Sequence, residues 1–496
     1  MTHPAITRLD QLGIGRSRLV VDSRAVKPGD VFAAFPGHSN DGRRYIESAV
    51  RAGAAAVFVQ PGEGCLQDAA GAAPVIAIEN LARNIGAVAD EFYGRPSQSL
   101  RVVGVTGTNG KTTVASWLAQ AYDTLAGKRG SAGMIGTLGS GLLARLEPSA
   151  NTTPDAASVQ TTLRELLDAG ARSVAMEVSS HALDQGRVSG VRFDATVFTN
   201  LTQDHLDYHQ TMEAYGAAKA KLFTDYPTKH RIVNADDDFG ARMIARKLPQ
   251  TVSYGMNAGL VRSHIARSSE YGMQLMIASP WGELDIATTV IGRFNAYNMT
   301  AVAATLLSQG FDPESVTAAL ARVNAAAGRM QRVTSSIERQ AQPTVYVDYA
   351  HTPDALAKAL STLRDAGAKR LVAVFGCGGD RDRTKRSQMG DIAATLADSV
   401  LITSDNPRSE SPESITADIE AGVPTPRRNR AQIIVDRREA IHHAIANAGP
   451  NDVILVAGKG HEDYQEVAGV RHHFSDVEVA QQALNVYAAR EVSHAH

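Results

Sequence analysis

Short apolar runs alternate along this chain with longer stretches whose apolar residues recur at helical spacing. In the N-terminal part, the runs at 19–21, 31–35 and 55–59 predict short strands, and an alanine-rich helix precedes the last of them. Further on, runs such as 173–176 and 195–198 are largely apolar, as in strands buried on both faces. This alternation favours an α/β fold built on mostly parallel sheets.

Length and turn signals divide the chain into three parts. Its 496 residues exceed what one hydrophobic core usually organises. A polar, turn-forming stretch at 94–99 precedes the next strand, and a second series of strands and helices follows residue 331. We therefore predict a small N-terminal α/β domain over 1–97, a central phosphate-loop domain with a mostly parallel sheet over 98–331, and a doubly wound, Rossmann-like C-terminal domain over 332–496.

A glycine-rich loop follows the first strand of the central segment. The run at 102–113 has the sequence VVGVTGTNGKTT and joins an apolar strand to the start of a helix. Backbone N–H groups near Gly107 and Gly110 can surround a triphosphate, and Lys111 can approach its outer phosphates. The spacing departs from that of the usual P-loop, because Val105 stands where a glycine is expected. The loop nevertheless predicts nucleotide binding.

A bound triphosphate needs a metal ion, and candidate ligands lie in the loop and at two strand ends. Mg²⁺ prefers oxygen ligands, so the hydroxyl of Thr112 or Thr113 and the carboxylate of Glu177 suit it, whereas His205 fits less well. Ligands bind beyond the carboxyl ends of strands in open α/β sheets, so we expect these residues to converge on the triphosphate. The alternatives are a helix-capping role for Glu177 and a hydrogen-bonded loop position for His205.

The helix predicted at 212–223 carries two lysines, Lys219 and Lys221. It consists largely of good helix formers, and lysines in such a helix are ordinarily solvated surface charges. The residue pattern alone therefore predicts a surface position for both lysines.

Four apolar runs of the C-terminal segment also end in polar clusters. These clusters lie at 348–351, 376–383, 405–408 and 458–462. In the third cluster, Asp-Asn-Pro-Arg, the proline stiffens a turn that directs Arg408 outward. Arg408 is a donor fork that matches a carboxylate, and Asp405 can accept hydrogen bonds from an ammonium group. Together they suit the zwitterionic head of an amino acid, and the alternative is a structural Asp–Arg pair that holds the loop.

Composition excludes several other classes of protein. The net charge of −2 gives no long-range field for nucleic acid or an anionic membrane. Two cysteines, Cys65 and Cys377, are too few for a disulfide framework or a zinc site. No apolar run reaches the ~18 residues needed to span a bilayer, and the N-terminus lacks the apolar core of a signal peptide. We expect a cytoplasmic monomer that acts on small molecules, binds no nucleic acid and inserts into no membrane.

In this order the motifs resemble those of the Mur ligase family of ATP-dependent amide-bond-forming enzymes, over essentially the whole chain. The loop at 107–113 is similar to that family's own phosphate loop, which accounts for Val105. The other similar motifs are 22–24 (DSR), 37–43 (GHSNDGR), 151–154 (NTTP), 177–181 (EVSSH), 204–207 (DHLD), 349–353 (YAHTP) and 405–408 (DNPR). The last resembles the mark of the member that adds meso-diaminopimelate. Pro154 is a departure, since a glycine often follows the two threonines.

The resemblance implies a role for each matched residue. ATP would be held by Gly107, Thr108, Asn109, Gly110, Lys111, Thr112, Thr113, Asn295, Asn298, Arg329 and Asp348. The UDP-linked muramoyl dipeptide would be held by Ser23 and His38 at its uridine end and by Thr152, Thr153, Ser179, Gln185 and Arg187. The incoming diaminopimelate would be held by Arg381, Asp405, Asn406, Arg408, Gly458 and Glu462.

The resemblance also changes the interpretation of the helix at 212–223. In this family the lysine that matches Lys219 is carbamylated by CO₂ to N6-carboxylysine, which supplies anionic oxygen for Mg²⁺. The implied metal ligands are Thr112, Thr113, Glu177, His205 and Lys219. The implied catalytic residues are Lys111, Glu177, His205, Lys219 and Arg329.

Several alternatives remain open at this stage. A relative could add L-lysine to the same precursor, or D-alanyl-D-alanine to the next one, although Arg408 argues against lysine. A folate polyglutamate ligase would share the phosphate loop without needing the uridine-like N-terminal segment. A nucleotide-dependent switch would hydrolyse ATP without forming a bond.

Overall fold

The computed structural model describes residues 3–37, 40–62, 73–149, 151–337 and 342–492. The chain forms two compact units. The first takes in the chain up to Arg262, together with Ala278–Glu283 and Asn298–Ala319. The second takes in Ser263–Ile277, Leu284–Tyr297 and the chain from Leu320 onward. Because each unit includes more than one stretch of chain, neither is a simple sequence segment.

The N-terminal part of the first unit has its own small parallel sheet. Its strands, in spatial and chain order, are β1 (Leu19–Val20), β2 (Val31–Ala34), β3 (Ala56–Val59) and β4 (Val75–Ala77). Its helices are α1 (Pro4–Gln11), α2 (Ile46–Arg51) and α3 (Leu81–Phe92). Both β2 and β3 are buried at every position. The apolar runs predicted as strands at 19–21, 31–35 and 55–59 are thus confirmed.

The central sheet of the first unit carries the glycine-rich loop. Its strands are β5 (Arg101–Thr106), β6 (Ala132–Gly136), β7 (Gly139–Leu142), β8 (Arg145–Glu147), β9 (Ser173–Glu177), β10 (Phe193–Phe198), β11 (Thr228–Asn234) and β12 (Thr251–Gly255). They lie in the order β12-β11-β10-β5-β9-β6-β7-β8, and only the pairings of β7 and β8 within this set are antiparallel. The carboxyl ends of β5, β9 and β10 therefore meet at one edge.

The helices of this region are α4 (Lys111–Leu125), α5 (Ala156–Asp168), α6 (Ser180–Asp184), α7 (Leu206–His209), α8 (Met212–Thr224) and α9 (Asp238–Ala245). Beyond β12 the chain continues as β13 (Val261–Ser269), β14 (Gly272–Ser279), β15 (Gly282–Thr288), α10 (Arg293–Ser308) and α11 (Pro313–Leu320). The first two residues of β13 pair with the end of β12 in parallel.

The N-terminal and central sheets are fastened together within the first unit. Ala156 and Ala157 at the start of α5 belong to the N-terminal core. The Tyr93 hydroxyl accepts hydrogen bonds from the Leu19 backbone and from the Thr161 hydroxyl, at 2.8 Å each. Since α5 directly follows the predicted substrate loop at 151–154, that loop is anchored to the N-terminal core.

The C-terminal part of the chain forms a second doubly wound sheet. Its strands are β16 (Gln331–Val333), β17 (Thr344–Asp348), β18 (Leu371–Phe375), β19 (Ser399–Ile402), β20 (Ala431–Ile433) and β21 (Val453–Ala457), in the order β16-β17-β21-β18-β19-β20. All pairings are parallel except that of β16 with β17. A hairpin, β22 (Tyr464–Val467) and β23 (Val470–His473), follows. The helices are α12 (Pro353–Asp365), α13 (Thr384–Leu396), α14 (Pro412–Glu420), α15 (Arg437–Ala446) and α16 (Asp476–Val492).

Alternation along β21 explains the two cores of this sheet. Val453, Leu455 and Ala457 pack into one hydrophobic cluster, and Ile454 and Val456 pack into another. Successive side chains of a strand point to opposite faces, so an entirely apolar strand needs cover on both. The predicted α/β class with mostly parallel sheets is therefore confirmed. In the described ranges, no helix combines the length and the apolar character needed to cross a membrane.

Candidate active site

Two glycines shape the loop that follows β5. Gly107 and Gly110 have φ of 149° and 85°, a region that favours glycine. A Cβ on Gly107 would lie 1.9 Å from the Thr199 hydroxyl, and one on Gly110 would lie 2.6 Å from Oδ1 of Asn298. The loop thus requires glycine at both positions. It also brings Asn298, predicted from the resemblance to bind ATP, next to Gly110.

The loop leads directly into the N-terminus of α4, a helix of 15 residues. Lys111 is the first residue of the helix, and its Nζ donates to the carbonyls of Gly107 and Thr108 at 2.9 and 2.8 Å. Across the loop, the Asn109 N–H donates to Oδ1 of Asn200 at 3.0 Å. A helix N-terminus and a lysine at the end of a glycine-shaped loop together form a cradle for phosphate.

Glu177 ends β9 beside this loop and is only 1% exposed. Its Oε2 accepts from the Thr112 hydroxyl at 2.9 Å, and its Oε1 accepts from the Thr137 N–H at 2.8 Å. A Cβ on Gly136 would lie 2.3 Å from Oε1, so glycine there leaves room for the carboxylate. The helix-capping alternative is wrong, because Ser179 caps α6. Thr112 is the loop threonine that reaches Glu177.

Of the two threonines predicted to bind the acyl substrate, Thr153 is hydrogen-bonded to the end of β9 and Thr152 to Thr137. The Thr153 hydroxyl donates to the carbonyl of Glu177 at 2.9 Å and accepts from the Ser179 N–H at 3.1 Å. The hydroxyls of Thr152 and Thr137 are 3.1 Å apart. Thr137 thus links the acyl-substrate threonines with the Glu177 carboxylate.

Arg187 and Gln185 complete this cluster. Arg187 donates through Nη1 to the carbonyl of Thr153 at 2.9 Å, and through Nε and Nη2 to Oε1 of Gln185 at 2.9 and 2.7 Å. The five residues predicted to hold the muramoyl dipeptide are therefore joined in one hydrogen-bonded set. Of the two residues predicted for the uridine end, Ser23 is half-buried in a short 3₁₀ turn, and His38 lies outside the described residues.

Lys219 also contacts the phosphate loop, at the carbonyl of Gly107. It is 1% exposed, and its Nζ donates to the carbonyl of Gly107 at 2.8 Å and lies 4.3 Å from the centre of the Tyr215 ring. Burial, with a smaller effect of the Lys111 charge, lowers its pKa well below the usual value. The surface position predicted from helix composition is wrong for Lys219, because packing of α8 overrides its propensity. That prediction is confirmed for Lys221, which pairs with Asp184 at the surface.

His205 occupies an exposed turn in a left-handed backbone conformation, φ 52°. Its ring centre is 4.8 Å from that of His181 and 6.1 Å from that of Tyr215. Tyr215 in turn contacts Lys219 and places its hydroxyl 3.3 Å from the Thr108 hydroxyl. His205 therefore approaches the Lys219 side of the loop through the Tyr215 ring. We call the loop at 107–113 together with Glu177 and Lys219 the phosphate site.

Three further residues predicted to bind ATP belong to the second unit. Asn295 lies one turn before Asn298 on α10, and its amide donates to the carbonyl of Ile291 at 2.8 Å. Asp348 at the end of β17 accepts from the N–H groups of Met330 and Ala350 at 2.7 and 2.9 Å, and burial raises its pKa.

Arg329 lies over an aromatic ring, and its charge acts on the nearby Asp348 carboxylate. Its guanidinium carbon lies 4.7 Å from the centre of the Tyr349 ring. Its Nε is buried and has no hydrogen-bond partner among the residues that the structure describes. Burial and the nearby Arg329 charge lower the pKa of His461 to about 4. An unpartnered donor on a cation is suited to an anionic ligand.

The Asp-Asn-Pro-Arg turn follows β19 and is locked to the loop after β18. Arg408 has a left-handed backbone conformation, φ 51°, and its Nη1 donates to the carbonyl of Gly379 at 2.7 Å. The Gly379 N–H donates back to the carbonyl of Asn406 at 2.9 Å. Arg408 thus holds the loop through a carbonyl and not by the Asp405 pairing considered from sequence. Arg381, in the loop after β18, is exposed.

The loop after β21 supplies the third side of this site. Gly458 has φ 121°, and a Cβ there would lie 2.5 Å from Oδ2 of Asp405. Oε2 of Glu462 accepts from the Asn406 amide at 2.9 Å and lies 3.4 Å from Nζ of the fully buried Lys459. Lys459 also donates to Oδ1 of Asn406 at 3.1 Å. We call the loops at 376–383, 405–408 and 458–462 the amino-acid site.

Sequence reasoning missed three residues of these sites: Thr137, Tyr215 and Lys459. Thr137 directly follows a strand, so the rule that strand ends carry ligands could have singled it out. Lys459 lies inside a polar cluster whose other members were considered. Tyr215 gave no signal, because an aromatic residue on a helix is usually part of the core.

Comparison with known proteins agrees with this geometry. Family models of the "Mur ligase family, catalytic domain", the "Mur ligase middle domain" and the "Mur ligase, glutamate ligase domain" match residues 17–93, 105–306 and 328–460. The chain therefore belongs to the Mur ligase family. The three matches also confirm the three-domain architecture, while the exact boundaries at 97 and 331 stay predictions.

Particular relatives are similar over nearly their full length. The UDP-N-acetylmuramoyl-L-alanyl-D-glutamate–2,6-diaminopimelate ligase of Chromobacterium violaceum is 49% identical over 97% of both chains. The ligase of the same name from Pseudomonas aeruginosa is 48% identical over 96% of both. A solved structure of a ligase with this name is 35% identical, with a TM-score of 0.71 over 96% of this chain and 95% of that one.

Proposed function

We propose that this chain is an ATP-dependent ligase that adds meso-2,6-diaminopimelate to the D-glutamate of UDP-N-acetylmuramoyl-L-alanyl-D-glutamate, in peptidoglycan precursor synthesis. One observation carries the reaction type. Thr153, predicted to hold the acyl substrate, is hydrogen-bonded to Glu177, whose carboxylate accepts from Thr112 of the phosphate loop. The names of the relatives support the choice of substrates.

In the first half-reaction, a carboxylate oxygen of the D-glutamate side chain attacks the γ-phosphorus of ATP. The bond from that phosphorus to the β,γ-bridging oxygen breaks, and ADP and an acyl phosphate result. We expect the phosphate charge to accumulate beside Lys111 and the N-terminus of α4, which lie together at the end of the glycine-rich loop. A fixed cation and fixed N–H groups stabilise such charge without reorganisation during the reaction.

We propose that Thr112 and Glu177 hold one Mg²⁺ and that a carbamate on Lys219 holds a second, with Thr113 and His205 as further candidate ligands. Bound there, the ions would neutralise phosphate charge and orient the two reacting groups. Lys219 must be uncharged, because its nitrogen lone pair forms the new bond to the carbon of CO₂. The nitrogen then loses one proton to solvent, which leaves an anionic carbamate. Burial of Lys219 beside Lys111 favours that neutral form.

The hydrogen bond from Lys219 to Gly107 is compatible with this modification. A carbamate nitrogen keeps one N–H, so it can still donate to the Gly107 carbonyl, 2.8 Å away in the unmodified protein. The two new oxygens carry the negative charge that the amine lacked. In the described ranges, no group of three or more His, Cys, Asp or Glu side chains forms a metal site. The proposed set is of another kind, because it adds hydroxyl and carbamate oxygens to the carboxylate of Glu177.

In the second half-reaction, an amine of diaminopimelate attacks the acyl carbon, the amine loses a proton, and phosphate leaves. The amino-acid site offers Asp405 and Glu462 for ammonium groups and Arg408 and Arg381 for carboxylates. Lysine lacks the second carboxylate, so a site built around an arginine fork would leave that cation unpaired with lysine. We place the reaction in the cytoplasm and expect a monomer.

The test supplies purified protein with ATP, Mg²⁺ and the UDP-linked dipeptide, and then adds one acceptor at a time. Meso-diaminopimelate should trigger phosphate release and a product of the mass of the UDP-linked tripeptide. L-Lysine and other acceptors should give at least ~10-fold slower release at equal concentration. Rapid ATP hydrolysis without any acceptor would support the switch alternative, and a preference for lysine would contradict the proposed amino acid.

A further inference from the structure

Behind the amino-acid site lies a fully buried ion pair that the proposed mechanism does not use. Arg437 is the first residue of α15, and Asp476 is the first residue of α16. Arg437 donates through Nε and Nη2 to the two carboxylate oxygens of Asp476, at 2.7 Å each. Both side chains are 0% exposed. The pair is therefore bidentate and removed from solvent.

The same guanidinium also holds two backbone carbonyls. Its Nη1 donates to the carbonyl of Ser404 at 3.2 Å, and its Nη2 donates to that of Ala457 at 2.9 Å. Ser404 immediately precedes Asp405, and Ala457 immediately precedes Gly458. Arg437 thus ties together the two chain segments that deliver the proposed ligands of the amino acid.

These two segments come from strands that are not neighbours. In the sheet, β19 and β21 lie on opposite sides of β18, so no ladder hydrogen bond joins them directly. Their loops nevertheless come close enough that a Cβ on Gly458 would lie 2.5 Å from Oδ2 of Asp405. A small shift of either loop would change this spacing, and misplacement by about 1 Å can cost about 10²-fold in rate.

We infer that Arg437, oriented by Asp476, is a positioning residue that sets the spacing between the Asp405 and Gly458 loops and thereby the affinity for the incoming diamino acid. This inference rests on the proposed function. Arg437 does not contact substrate in this scheme. Its planar fork is needed because it must donate in three directions at once, which a lysine ammonium on a flexible stem does not reproduce.

The test separates this role from a merely structural one. Removing Arg437 alone would leave Asp476 buried and unpaired and could prevent folding. The main variant is therefore the double replacement Arg437→Met with Asp476→Leu, because apolar residues often replace a buried pair without loss of stability. We expect it to fold, and to raise the KM for diaminopimelate about 10-fold or more. The KM values for ATP and for the UDP-linked dipeptide, and kcat at saturating diaminopimelate, should change less than about 3-fold.

Two further variants complete the design. Arg437→Lys keeps the charge opposite Asp476 but loses the fork, so its KM for diaminopimelate should fall between those of the wild type and the double variant. The matched control is Arg364→Met. Arg364 also pairs with an aspartate, Asp398, and donates to the backbone carbonyls of Leu396 and Ala368, but at the amino ends of β18 and β19. The Arg364→Met variant should lower the stability of the protein without changing the KM for diaminopimelate.

The outcomes distinguish the possible failures. A folded double variant with an unchanged KM for diaminopimelate overturns the inference, as does an equal rise in Arg364→Met. A parallel rise of all three KM values indicates a general structural role and overturns it too. If the double variant does not fold, wild-type KM in Arg437→Lys overturns it. Wild-type protein that shows no diaminopimelate-dependent phosphate release overturns the proposed function itself.

Discussion

The phosphate site and the amino-acid site are built in different ways. The loop of the phosphate site is one continuous stretch, shaped by two glycines and by the start of α4, and single side chains such as Glu177 and Lys219 are added to it. The amino-acid site has no continuous framework. Three loops, from the ends of β18, β19 and β21, are held together by buried polar side chains such as Lys459 and Arg437.

This difference has a consequence for function. A site made by the backbone of one loop keeps its shape when a side chain is removed. Such a substitution should therefore lower mainly the rate of the chemical step, kcat. A site made by cross-links between separate loops loses its shape when a cross-linking side chain is removed. Such a substitution should therefore weaken mainly the binding of substrate and raise KM. Substitutions in the phosphate site should therefore act mainly on kcat, and substitutions in the amino-acid site mainly on KM for diaminopimelate.

The largest effect is expected for Lys219→Ala, which removes the proposed carbamate. We predict a loss of roughly 10³-fold in kcat, because an anionic ligand next to the reacting phosphates is lost. A short carboxylate in the buffer should partly restore the rate, and mass spectrometry of the intact wild type under mild conditions should find the added CO₂. The control is Lys221→Ala, which removes an exposed ion pair two residues away. A larger loss of kcat in Lys221→Ala than in Lys219→Ala would contradict the assignment of the carbamate to Lys219.

A somewhat smaller loss is expected for Lys111→Ala. The substitution leaves Gly107 and Gly110 in place but removes the cation proposed to contact the outer phosphates, so kcat should fall roughly 10²-fold. Binding of the UDP-linked dipeptide, measured by calorimetry without ATP, should remain within about 2-fold, since its proposed residues lie around Thr153. An unchanged rate of acyl phosphate formation in a single-turnover experiment would exclude the proposed role.

Arg408→Ala tests the amino-acid site, where we expect the change in KM rather than in kcat. A charge-assisted contact in a partly dry site contributes on the order of 1.5–3 kcal/mol, so KM for diaminopimelate should rise roughly 10- to 150-fold while kcat changes little. The preference over L-lysine should narrow accordingly, and Arg408→Lys should restore it only in part. If the preference ratio stays at its wild-type value, Arg408 is structural and Arg381 becomes the first candidate for the far carboxylate.

The smallest effect concerns acid stability near the amino-acid site. The pKa of His461 is about 4 in the folded protein against an ordinary value of 6.5, so the unfolded chain binds more protons between those values. Stability contributed by neutral His461 is complete above pH 6.5 and declines as the pH falls toward 4. Between pH 7 and pH 5 the loss should be about 1–2 kcal/mol.

Local hydrogen exchange of β21 amides measures this loss, compared at each pH with His461→Asn. The variant should lose less protection on acidification than the wild type. Equal pH dependence in the two proteins would assign the acid sensitivity to other groups.

The sequence predicted well those features that depend on neighbouring residues. The strand, the glycines and Lys111 of the phosphate loop follow one another, and their backbone requirements appear in the residue types themselves. The same holds for the strand ends that carry Glu177 and Asp405. The role of Lys219 was predicted only through family resemblance, because helix composition alone predicted a solvated lysine.

Burial and cross-links between distant segments were decided by the tertiary structure. Lys219 is buried because α8 packs beside the loop that begins at Gly107, more than 100 residues earlier, and Lys221 on the same helix is not. Arg437 meets Asp476 and the carbonyls of Ser404 and Ala457 only because β19 and β21 end, and α15 and α16 begin, at one edge of a sheet. The sequence by itself thus determined the fold class, the phosphate loop and the residue types available for chemistry. Which side chains are desolvated and which loops are held together follows from packing, because those properties depend on distances between residues far apart in the chain.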